Sequence, residues 1–186
     1  SSLKTTNGKH YVTANGGIRD VRGNVNTRLR KLDDGEYDAI ILAAAGLIRL
    51  EMEDRIKQFI DISESLPAMG QGAVGIECRT GDTEVYKLLE TLSDTETTIR
   101  LTAERSLNKR LEGGCQVPIG GHATIVGGEL HLQALVASLD GQTILRSEKT
   151  TSLEQAEQLG IDVAEDLLTQ GADKILASVY ANHSTA

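Results

Sequence analysis

A thiol and a group of guanidinium side chains are the residues of this chain best equipped for chemistry. Cys115 stands in "LEGGCQVPIGGHA" (111–123), after two glycines at the close of a helical pattern and three residues before Pro118. A thiol on such a corner is either a packed loop cysteine or an accessible sulfur that can form a thiolate and carry a covalent group. Both readings stay open on position alone. The second cysteine, Cys78, lies in the apolar run "AVGIEC" and is expected to be a small buried hydrophobe. No CxxC pair occurs, so a reversible-disulfide protein is the weakest of the thiol readings.

The guanidinium groups cluster in residues 19–31, where Arg19, Arg22, Arg28, Arg30 and Lys31 face a single Asp20. Arg22 comes just before a predicted helix, in "RGN", where the free N–H groups of a helix start favour an anion. Arg28 flanks the apolar stripe Val25, Leu29 and Leu32, while Arg30 and Lys31 point away from it into solvent. Arg49 follows the run "AIILAAAGLI" (39–48), read as a buried strand, and the end of such a strand is where open α/β sheets bind ligands. Arginine forks suit carboxylates and phosphates. The island is either a solvated face or an anion site.

Other chemistries find little support. The formal net charge of −8 argues against nucleic acid as a partner. No apolar run is long enough to span a bilayer, and two cysteines make no disulfide framework, so a cytoplasmic protein is expected. His10, His122, His131 and His183 lack ligand spacing, and no metal site is expected. "GQGAVG" (70–75) lacks the lysine of a phosphate-binding loop. No GxSxG elbow occurs. The chain opens on "SSLK" with no initiator Met, so it is expected to be a fragment.

These side chains need elements to hold them. Residues 1–20 read as a loop or tag-like insert, with an Asn-Gly turn signal and weak alternation around Tyr11 and Val12. From residue 21 a helix, the strand at 39–48, another helix and a strand towards Cys78 suggest an α/β layer with a partly parallel sheet. Helices follow at about 82–92 and from Ser93, read as a capping box with Glu96. The second carries Ile99, Ala103, Leu107 and Leu111 and stops at Gly113-Gly114. After Pro118 the period becomes two, predicting a three-stranded antiparallel meander turning at Gly127-Gly128 and Asp140-Gly141. The tail is helical from Ser152, read as a capping box with Gln155, and is divided at Gly171.

"RGNVNTRLRKLDDGEYDAIILAAAGLIRL", "LPAMGQGAVGIECR" and "LTAERSLNKRLEGGCQVPIGGHA" closely resemble porphobilinogen deaminases, also called hydroxymethylbilane synthases, over about nine tenths of the chain. The resemblance is nearest to bacterial members. It implies an α/β domain similar to those of type II periplasmic binding proteins, followed by a small α+β domain. The corresponding boundaries are 1–70 for the incomplete α/β domain, 71–92 for a segment returning to a mostly missing first domain, and 93–186 for the cofactor-anchoring domain.

The same resemblance implies haem-pathway transferase chemistry, joining four porphobilinogen molecules into hydroxymethylbilane with release of ammonia. It makes Cys115 the thioether anchor of a dipyrromethane cofactor. Arg22 and Arg28 would hold carboxylate arms of cofactor and substrate, and Arg49 those of substrate. Ser2, Gly46 and Gln71 match positions lining the same cleft, and the working state would be a monomer. Two departures accompany it. No aspartate here matches the catalytic one, so this piece alone is expected to be inactive. Lys4 and Thr5 stand where the family has an arginine pair. A second function class remains: a carboxylate-binding module that keeps the arginines and carries no cofactor.

Overall fold

The computed structural model describes residues 3–6, 9–12, 19–113 and 117–183, with side chains for 19–113 and 117–181. Strands β1 (Leu3–Thr6) and β2 (Lys9–Val12) pair antiparallel with Leu3 opposite Val12, so these two stretches are not the plain loop that the sequence suggests. Helix α1 (Val25–Asp33) starts where Asn24 accepts the Thr27 amide at 2.8 Å, and it buries Leu29.

The apolar run at 39–48 is not a strand. Residues 39–43 are irregular, and α2 (Ala44–Arg49) takes the alanine-rich remainder. An apolar run cannot by itself separate buried strand from helix, and alanine is the strongest helix former. A strand also needs a ladder partner, and among the described residues nothing pairs with 39–42. The run towards Cys78 forms no strand either. Residues 71–81 are exposed, Cys78 with them, because among the described residues no second layer covers them. Both sheets among the described residues are antiparallel, so the partly parallel layer is absent from them.

Helices α3 (Thr83–Glu90) and α4 (Thr95–Arg110) follow as expected. The α4 cap is Asp94 rather than Ser93: its side chain takes the Thr97 amide at 2.7 Å. Both residue types cap well, and the donor three positions on selects Asp94. The meander is present: β3 (Ile119–Val126), β4 (Glu129–Ala137) and β5 (Ile144–Ser152) pair in that order. Gly127 and Gly128 both have positive φ, the backbone a tight two-residue hairpin requires.

A short 3-10 turn, Leu153–Gln155, leads into α5 (Ala156–Thr169), and α6 (Ala172–His183) follows Gly171. Ser152 makes no side-chain cap bond, so the second capping box is absent. The core lies in this half, where Leu107, Leu130, Leu132, Val136, Val163 and Leu167 are fully buried between α4, α5 and the sheet. Among the described residues of the first half only Leu29, Leu47 and Leu66 are buried. No helix among the described residues is long and apolar enough to cross a membrane.

Candidate functional site

The α1 start is built by a glycine and an asparagine. Gly23 has φ +120, and an added Cβ would press on Thr27 Cβ at 2.8 Å, so only glycine fits before the Asn24 cap. Arg28 lies one turn inside the helix. Its Nε donates to the Gly23 carbonyl oxygen at 2.8 Å, which leaves the outer nitrogens of the guanidinium for another acceptor. Arg22 is exposed just upstream.

Gly46, in α2, lies against α1: a Cβ there would be 3.7 Å from Val25 Cγ2. Arg49 ends α2 and is exposed, rather than ending a strand. Among the described residues no carboxylate pairs with Arg22, Arg28 or Arg49, nor with Arg19 and Arg30 of the same island. Elsewhere the chain does pair arginines: Arg55 meets Asp33 at 2.5 Å and Arg110 meets Glu165 at 2.6 Å. A cationic face left uncompensated in so acidic a chain is chemically suited to carboxylates from outside.

Beside α1 and α2 opens a cavity of about 530 Å³. Its wall includes Leu29 of α1, Leu47 of α2, Phe59, Gln71 and the segment Pro118–Gly120. Gln71 is thus brought onto the same wall as the residues that follow the cysteine corner. Arg22, Arg28, Gly46 and Arg49 lie on the α1–α2 side and do not line it. Ser2 and Cys115 lie outside the described residues.

The approach to the corner is well defined. The Glu112 amide bonds the Lys109 carbonyl at 3.2 Å and the Gly113 amide bonds the Asn108 carbonyl at 2.9 Å, the two bonds of a Schellman close. The left-handed residue is Glu112, with φ 53, and not a glycine as the Gly113-Gly114 stop suggests. A Cβ on Gly113 would displace the Asn108 side-chain amide, whose Nδ2 donates to the Gly113 carbonyl at 3.2 Å, and would reach Ile119 Cδ1 at 3.0 Å. From behind, the Tyr180 hydroxyl of α6 donates to the Glu112 carbonyl. Beyond the corner Val117 and Pro118 are buried again.

One buried polar group belongs to none of the motifs of the sequence. Glu104 is only 5% exposed, in phase with Leu107 and Leu111 on the buried face of α4. A carboxylate at the i−3 and i−7 positions of an apolar stripe was the legible signal for it. Its two oxygens accept the Gly70 amide at 2.6 Å and the Ala123 amide at 2.8 Å. His122 Nδ1 lies 3.7 Å from the second of them. Among the described residues no cluster of His, Cys, Asp or Glu is arranged to hold a metal.

Two family models match the chain. Residues 1–87 match the model described as "Porphobilinogen deaminase, dipyromethane cofactor binding domain", and residues 98–169 match "Porphobilinogen deaminase, C-terminal domain". The two matches cover the arginine island, the cavity walls and the meander.

Proposed function

The chain belongs to the porphobilinogen deaminase family, whose domains serve tetrapyrrole biosynthesis, and on that premise we propose that it is the arginine-bearing and cysteine-bearing part of a hydroxymethylbilane synthase. In this reading residues 1–70 are the incomplete α/β domain, 71–92 return to a mostly missing first domain, and 93–186 form the cofactor-anchoring domain. The uncompensated arginines carry the proposal. Porphobilinogen and dipyrromethane bring acetate and propionate arms, and Arg22 and Arg28 take those of both, with Arg49 reaching substrate. Guanidinium groups keep their charge at every working pH, so successive carboxylates meet fixed cations.

The donor set fits the cofactor: forks for its carboxylates, a thiol at Cys115 for a thioether, and Ser2, Gly46 and Gln71 for its edges. Bound there, dipyrromethane would supply a covalent primer for joining four porphobilinogen units head to tail, one ammonia leaving per unit, with water cleaving hydroxymethylbilane from the primer. The protein's own part is to orient the carboxylate arms and hold one end still, which makes each joining step intramolecular and lowers its entropic cost. No aspartate of this chain is assigned to proton transfer, and the chain by itself is read as inactive, cytoplasmic and monomeric.

Intact mass of the denatured chain tests the anchor. The expected result is an excess of one dipyrromethane that disappears in Cys115→Ser. An excess that survives Cys115→Ser overturns the anchor assignment, and ammonia release from porphobilinogen by the chain alone overturns the reading of it as inactive.

A further inference from the structure

β3 is an edge strand, since the sheet runs β3-β4-β5. Its outward amides cannot be met by another strand and have to find partners elsewhere. Two of them do so from one neighbouring stretch and one side chain. The Gly121 amide donates to the Pro67 carbonyl at 3.1 Å, and the Ala123 amide donates to Glu104 at 2.8 Å. The stretch beginning at Pro67 therefore lies along β3. Leu66 is buried, and an added Cβ on Gly120 would sit 3.3 Å from Leu66 Cβ.

Beyond Pro67 the chain reverses. The Gln71 amide bonds the Ala68 carbonyl at 3.0 Å, and Gly70, at the third position, has φ +71, as a type II turn requires. Within that turn the Gly70 amide donates to the other oxygen of Glu104 at 2.6 Å. One buried carboxylate thus joins three elements: α4, which carries it, β3, and the turn that ends at Gln71. Gln71 is exposed and stands on the cavity wall.

We propose that Glu104 is a positioning residue, which through the Gly70 amide fixes the turn at 68–71 against β3 and so sets where Gln71 meets a ligand in the cavity. The inference rests on the reading of Gln71 as part of the cofactor and substrate cleft. Glu104 itself is buried and touches neither. Glu104→Gln keeps the volume and one acceptor oxygen but turns an NH2 group towards one of the two amides, so the clasp loses an arm while the fold keeps its packing.

The experiment compares the full chain with Glu104→Gln, Gln71→Ala and the double variant, by amide hydrogen exchange and by porphobilinogen titration. Expected is a tenfold or greater acceleration of exchange confined to the amides that Glu104 holds and the turn beside them, namely Gly70, Gln71, Ala73 and Ala123, with Leu132 and Ala134 of the core unchanged. Expected too is weaker porphobilinogen binding in both single variants, with little further loss in the double. Uniform acceleration that includes Leu132 and Ala134, or none at Gly70, overturns the inference by making Glu104 purely structural. Weakened binding in Gln71→Ala without weakening in Glu104→Gln overturns it while leaving the cleft intact. Unchanged binding in Gln71→Ala removes Gln71 from the cleft, and the inference falls with that assignment.

Discussion

Gly160 of α5 lies directly on the backbone of Ala103 in α4, so close that an added Cβ would overlap the Ala103 carbonyl oxygen and come within 2.7 Å of the Leu107 amide nitrogen. The Ser106 hydroxyl stitches the same crossing, donating to the Ala103 carbonyl at 3.0 Å and approaching the Glu157 carbonyl at 2.9 Å. Two helices that touch backbone to backbone cannot move apart cheaply, because both are packed on the sheet. Gly160→Ala is therefore expected to destabilise the chain by about 3 kcal/mol, at the upper end of overpacking costs, despite alanine's better helix propensity. Urea unfolding followed by circular dichroism checks it.

The two halves of the chain are expected to respond differently to truncation. Leu107 is fully buried, and Leu107→Ala should cost about 2–5 kcal/mol. Leu88 is 71% exposed, and Leu88→Ala should stay within about 0.5 kcal/mol of the parent. Chemical denaturation midpoints for the two variants measure the contrast.

At the end of α4 the left-handed position is held by Glu112 instead of glycine. Glu112→Gly should raise stability by about 1 kcal/mol, since only the backbone strain changes and the carbonyl that Tyr180 uses is kept. A rise in melting temperature is the readout, and a fall would show that the glutamate side chain has a partner of its own.

One source of acid sensitivity can be removed at Asp94. The Thr97 hydroxyl and amide donate to the Asp94 carboxylate and hold its pKa below the ordinary aspartate value. A carboxyl lowered by folding contributes stability that is fully present above the unfolded value of about 3.9 and is lost as pH falls through the folded one. Asp94→Asn still caps the helix, so it should match the parent near neutrality and show a shallower fall in melting temperature below about pH 4. Thermal melts from pH 6 to pH 3 decide it.

The arginines of the island should separate by role. Arg22→Gln and Arg28→Gln are each expected to weaken porphobilinogen binding about tenfold or more, the scale of one lost charge-assisted hydrogen bond. Arg30→Gln, on the solvated side of α1, should change it little. Calorimetric titration at fixed ionic strength is the measurement.

What was legible in the chain follows where each signal is local. The meander was readable because alternation and the Gly127-Gly128 pair specify strands and turn within a few residues. The stripe Ile99, Ala103, Leu107 and Leu111 likewise needs nothing beyond its own helix. The strand at 39–48 and the burial of Cys78 were misjudged because each depends on a neighbour at a distance: a ladder partner in one case, a covering layer in the other. The cap at Asp94 and the turn at Glu112 missed by one residue, where adjacent residues compete and packing decides. The arginines and the "GGC" corner stand out by kind and order alone, whereas the two amides that Glu104 accepts come together only once α4, β3 and the Gly70 turn are in place.

Tyr180 reaches across from the last helix to the carbonyl of Glu112, three residues before the thiol. The chain has no tryptophan and four tyrosines, so its emission on excitation beyond the phenylalanine absorption band is entirely phenolic. With the other three changed to phenylalanine, that light would come from one ring bonded to the corner, and attachment of a pyrrole at Cys115 could be followed as a change in brightness, without a dye.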